Sequence, residues 1–133
     1  LAGGITNCPD WQKEFIKSYK GQDCTIFNPR RAVWDNERFD DSISIEQIEW
    51  EKNYLDECDG VVFWFPEETL CPITLFELGA ALYSKDIIAI GIHPNYKRRL
   101  DVEIQTKLVD NRIPIVYSIG DLVSTVEEFV NNF

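Results

Sequence analysis

The chain has 133 residues, 44% of them hydrophobic and 13% aromatic, which suits one domain spanning residues 1–133 around one core. A net charge of -10 argues against nucleic acid polymers and anionic membranes as partners. No apolar run approaches the roughly 20 residues of a membrane span and no signal peptide is visible, so a cytoplasmic protein is expected.

Leu1-Ala2 reads as the end of a first strand and Gly3-Gly4 as a tight loop, so a few native residues are expected before Leu1. Pro9 and Asp10 open a helix whose apolar side is Trp11, Phe15, Ile16 and Tyr19, and Gly21 closes it. Thr25-Ile26-Phe27 reads as a short strand stopped by Asn28-Pro29. Arg30 to Ser42 is polar and reads as a surface loop. Ser44 is expected to cap a long helix, with Gln47 as its capping-box partner. Gly60 to Phe65 is the next strand, Pro72 to Ser84 a helix, and Ile87 to Ile92 a strand apolar on both faces. A loop over His93 to Arg99, a helix over Asp101 to Asp110, a strand at Ile115-Val116-Tyr117 and a helix from Asp121 to Phe133 follow. Strands alternate with helices, and the strand runs are continuous rather than alternating. The expected fold is α/β, a flavodoxin-like parallel five-stranded sheet with helices on both faces.

Cys8, Cys24, Cys58 and Cys71 are widely spaced, and His93 is the only histidine. Free thiols in a reducing compartment are expected, and a zinc site is not. Chemistry concentrates instead at one acid. Between Glu68 and Lys85 the sole charged residue is Glu77, on a helix whose neighbouring positions Ile73, Ala80 and Ala81 are apolar or small. A carboxylate there needs partners or a task. The order strand, loop, helix puts it near the C-terminal edge of a parallel sheet, where such folds bind ligands. Asp59 reads as a catalytic acid or simply as a terminator of the helix before it. Glu51 lies on a helix rich in acids and, by composition, on its solvated face.

Arg30-Arg31 and Lys97-Arg98-Arg99 gather much of the basic charge after strands. They read equally as solubilising loops and as attractors of an anionic ligand. Gly3-Gly4 can let backbone amides approach a ligand, although neither a dinucleotide fingerprint nor a P-loop is present. Trp34, in the polar loop, is a better candidate for stacking on a base than Trp64 or Phe65.

Together these pieces resemble the nucleoside 2-deoxyribosyltransferase family, in its small bacterial and phage-type branch. The matching segments are Leu1-Ala2-Gly3-Gly4-Ile5, Asn28-Pro29-Arg30-Arg31, Trp50-Glu51, Cys58-Asp59-Gly60-Val61-Val62-Phe63-Trp64, Thr74 to Leu82, and Arg99 to Gln105. The resemblance implies that Glu77 is the nucleophile and that Glu51 stands where family members place the aspartate that handles the base's proton. Gly3, Gly4 and Ile5 would face the sugar; Asn28, Arg30, Arg31, Asp101 and Gln105, together with Trp34 and Pro66 from outside the matching segments, are the further expected substrate-binding positions. It also implies a homo-oligomer with shared sites and no metal or redox cofactor. Related enzymes of this fold hydrolyse nucleoside 5′-monophosphates. The expected function is cleavage or exchange of the N-glycosidic bond of a (deoxy)nucleoside or nucleotide. A nucleotide-binding or sensing module without turnover is the competing reading. Hydrogen bonds, with the Gly3-Gly4 backbone as candidate donors, are expected to hold the Glu77 pKa down.

Overall fold

The computed structural model describes residues 1–30 and 41–133. Arg31 and Trp34, two of the expected ligand-binding residues, lie outside the described residues. The described elements are β1 (Ala2–Gly3), α1 (Trp11–Ser18), α2 (Asp41–Glu57), β2 (Val61–Phe65), α3 (Pro72–Ser84), β3 (Ile87–Ile92), α4 (Arg99–Val109), β4 (Ile115–Val116) and α5 (Ile119–Asn131). All three strand pairings are parallel, in the order β1-β2-β3-β4. The protein is therefore an α/β fold with a parallel sheet, consistent with the flavodoxin-like class.

Alternation along β2 assigns the helices to two layers. Val61, Phe63 and Phe65 pack with Leu78 and Ala81 of α3 and Val102 of α4. Val62 and Trp64 turn the other way, onto Trp11 and Phe15 of α1 and Leu122, Val123 and Val126 of α5. Because both faces are covered, all five β2 residues are buried, which explains their unbroken apolar run. No helix among the described residues is long and apolar enough to cross a membrane.

The sheet has four strands among the described residues rather than five. Thr25-Ile26-Phe27 runs beside β1 without forming a ladder; the Leu1 nitrogen donates to Phe27 O at 2.9 Å, and no further backbone bond joins the two segments. The second helix also begins earlier than Ser44. It starts at Asp41, so Ser44 is helical and Gln47 is no capping partner. The Gln47 amide instead donates to Pro29 O at 3.2 Å and to a Glu51 carboxylate oxygen at 3.0 Å.

Gly3 and Gly4 answer to close approach. A Cβ on Gly3 would stand 2.5 Å from the Trp11 ring and 2.6 Å from Trp64 O, and one on Gly4 would stand 2.7 Å from the Pro66 ring. The first loop can lie this tightly against α1 and the end of β2 only without side chains at these positions.

Candidate active site

One cleft of about 1020 Å³ runs along the β1 edge. Residues Leu1 to Thr6 line it on one side. From α2 come Gln47, Trp50, Glu51 and Tyr54, and from the start of α3 come Pro72, Ile73, Thr74 and Glu77. Pro72 sets the first turn of α3, and Cys71 before it adopts a left-handed φ of 53°. That sharp entry turns the chain from the β2 edge back across the sheet, bringing Glu77 in the second turn to the cleft wall.

Glu77 is half-buried, and no hydrogen bond or ion pair reaches its carboxyl group among the described residues. Its pKa is pushed up to about 7, first by burial and next by the negative charge of Glu51, while the Leu1 amino group works the other way. The expectation that hydrogen bonds hold this pKa down is thus reversed. The loop carbonyls and amides do not bond the acid, and a second carboxylate stands near it.

Two acids from two helices therefore meet at one cleft. Glu51 is oriented by the Gln47 amide at 3.0 Å. Beside it is an aromatic wall: Trp50 lies 4.4 Å from Tyr54, centroid to centroid, and Tyr54 lies 4.2 Å from Phe27. All three rings line the cleft. Their faces and edges can hold a planar base. Sequence reasoning placed stacking at Trp34 and did not find this wall. The signal was present, since Gln47, Trp50, Glu51 and Tyr54 follow helical spacing and share one face of α2.

The other anticipated positions divide. Gly3, Gly4 and Ile5 line the cleft. Asp59 also touches it, but is exposed and precedes β2, at the end of the strand opposite Pro66. Pro66 is buried behind Gly4. The Asn28 side chain accepts from the Arg30 amide at 3.0 Å. Arg30 spends its guanidinium on backbone carbonyls of the first loop, at 2.7 to 2.9 Å. In the second basic cluster Arg98 pairs with Asp101 at 2.8 Å and Arg99 with Glu103 at 3.0 Å. Gln105 donates to Asp101 at 3.4 Å, and neither lines this cleft. Among the described lining residues, Asp23, Glu51, Glu57, Asp59 and Glu77 are acidic and none is basic.

The model of a family described as nucleoside 2-deoxyribosyltransferase like matches residues 1–96. No curated protein matches the chain. The matched stretch takes in β1, the first loop, Glu51, Glu77 and the whole of β3, and the chain belongs to that family. Asp101 and Gln105 lie beyond it.

Proposed function

We propose that this chain cleaves or exchanges the N-glycosidic bond of a nucleoside, with Glu77 as nucleophile and Glu51 as the acid that serves the base. The observation that carries this reading is the meeting of these two carboxyl groups at one cleft, in a member of a nucleoside 2-deoxyribosyltransferase-like family. Glu77 as carboxylate attacks C1′ of the sugar. The C1′–N bond breaks with its electron pair passing to the base, and Glu51 supplies the proton that makes the base a neutral leaving group. The glycosyl ester on Glu77 is then resolved by a second base or by water. Burial and the neighbouring Glu51 charge let Glu77 hold a proton up to about pH 7, and its passage to Glu51 leaves a nucleophile and an acid side by side. The rings of Trp50, Tyr54 and Phe27 hold the base, and the first loop faces the sugar.

The charge of the cleft favours the unphosphorylated substrate. A 5′-phosphate would enter a site whose described lining carries five carboxyl groups and no basic side chain, while Arg30, Arg98 and Arg99 are committed elsewhere. Incubation with a panel of 2′-deoxynucleosides, ribonucleosides and their 5′-monophosphates, followed by mass spectrometry, tests both points. Base release or exchange is expected from nucleosides, with 5′-monophosphates at least about tenfold poorer at low salt. Faster turnover of the monophosphates would reverse the substrate assignment. Binding without any base release would make the chain a sensing module instead.

The site is expected to work within a homodimer. α3 exposes Phe76 (77%) and Tyr83 (80%), and α4 exposes Leu100, Ile104 and Leu108 (81%) at helical spacing. Both helices belong to one layer of the fold, and Glu77 is the only charged residue of α3. In a chain of charge -10, the exposed apolar positions of these two helices are where two copies approach with least repulsion. A specific interface buries above about 1,000 Å², so the dimer should persist at micromolar protein in light scattering. A fully active monomer would remove this element of the reading.

A further inference from the structure

The first loop is gripped from behind by one side chain. Arg30 Nη2 donates to Ile5 O and to Cys8 O, both at 2.9 Å. Its Nη1 donates to Pro9 O at 2.7 Å and to the Gln12 side-chain oxygen at 3.3 Å, with the Asp10 carboxylate 3.8 Å away. The Gln12 side chain is fully buried and passes the grip on: its Nε2 donates to Gly4 O at 3.1 Å, where Trp11 Nε1 also donates at 3.1 Å. Asn28 holds the Arg30 backbone amide at 3.0 Å. Every acceptor of the guanidinium thus comes from the first loop or the beginning of α1. The arginine side chain is only 18% exposed.

A trans peptide sets each N–H opposite the preceding carbonyl. With Gly4 O fixed toward Trp11 and Gln12, the Ile5 amide turns away from them. With Ile5 O fixed on Arg30, the Thr6 amide turns away from the guanidinium. Neither amide has a hydrogen-bond partner among the described residues, and both residues line the cleft.

We propose that Arg30 is a positioning residue: its fork fixes the peptide planes of Gly4 to Thr6 so that the Ile5 and Thr6 amides are presented as donors to oxygens of the bound sugar. This rests on the nucleoside reading above, and assigns Arg30 to the loop rather than to a phosphate. The planar fork serves acceptors on several sides at once, which an ammonium at the same place cannot reproduce.

The test uses the full chain with Arg30→Lys and, should that variant not fold, Gln12→Met, which removes the link to Gly4 while keeping volume. Backbone 15N relaxation is measured for Ile5 and Thr6, and turnover for the best nucleoside of the panel. In the wild type both amides should be rigid, with order parameters near 0.85, and they should shift on titration with that nucleoside. In either variant they should fall below about 0.6. Turnover should fall about 10²-fold, mainly in kcat, as expected when a positioned contact is displaced by about an ångström. The preference for nucleoside over 5′-monophosphate should stay as it was. Unchanged order parameters in a folded variant would overturn the proposal. So would a variant whose only change is in handling the monophosphate, which would make Arg30 a phosphate ligand. If the wild type releases no base yet the amides loosen in the variants, the positioning role stands and the catalytic reading falls.

Discussion

Replacing Glu77 by alanine is expected to abolish turnover, by at least about 10³-fold in kcat, while the fold survives. The carboxyl group has no hydrogen-bond partner to orphan among the described residues, and the residue sits on the cleft wall, so its removal opens no closed cavity. The substitution should even stabilise the protein at alkaline pH. In the folded chain the pKa is about 7, above the ordinary 4.5. Between those values the folded state holds a proton that the unfolded state releases. The stability this contributes is full below about 4.5 and is lost as pH rises through about 7. At pH 8 the wild type thus carries a cost of at most about 3 kcal/mol that Glu77→Ala lacks, reduced by the solvent that reaches a half-buried group. Denaturant midpoints at pH 5 and pH 8 measure this, and a base-release assay measures turnover. Wild-type-like rates in a folded variant would end the nucleophile assignment. A variant less stable than wild type at pH 8 would show that Glu77 has a structural partner after all.

How much of this was legible in the chain depended on whether the signal was local. The bounds of α3 and β3 follow from sequence because Pro72 fixes one start and the apolar run Ile87 to Ile92 is bounded by polar residues. Glu77 stood out for the same reason, as one charge on an apolar helix. Signals that needed a partner were misread. Thr25-Ile26-Phe27 has strand composition, but a strand exists only if a neighbour supplies the ladder, and β1 supplies one bond. Ser44 has capping chemistry, yet Asp41 and Ser42 just upstream can begin a helix equally well, and α2 starts there. Glu51 looked like one more solvated acid because the spacing between helices α2 and α3 cannot be read from either alone. Its charge beside Glu77 adds to burial in raising the nucleophile's pKa. Arg30 could be read as an anion attractor because its charge is visible in the sequence, whereas the three loop carbonyls and the Gln12 oxygen that occupy it are not.

The pH dependence of turnover should reveal that the two acids act as a pair. If Glu51 must give a proton to the leaving base while Glu77 attacks as a carboxylate, the active form of the pair carries one proton in total. The pair keeps that proton until about pH 7, where Glu77, the raised group, releases it. Which of the two oxygens holds the proton at a given instant fixes a constant fraction of productive enzyme and does not alter the shape. The value of kcat/KM should therefore be level just below about pH 7 and fall about tenfold per unit above it. Measurements must use initial rates, because stability declines over the same interval. Glu51→Gln supplies the decisive control. It removes the acid and the repelling charge, so the Glu77 pKa should fall, with burial still holding it above the ordinary value, and the falling limb near pH 7 should vanish. The rate should be lower throughout, by about 10²- to 10⁴-fold, the range for loss of a general acid. A wild-type rate that instead rises through pH 7 would mean that Glu77 works alone and that the base departs without help from Glu51. A falling limb retained in Glu51→Gln would place the titrating group elsewhere in the cleft.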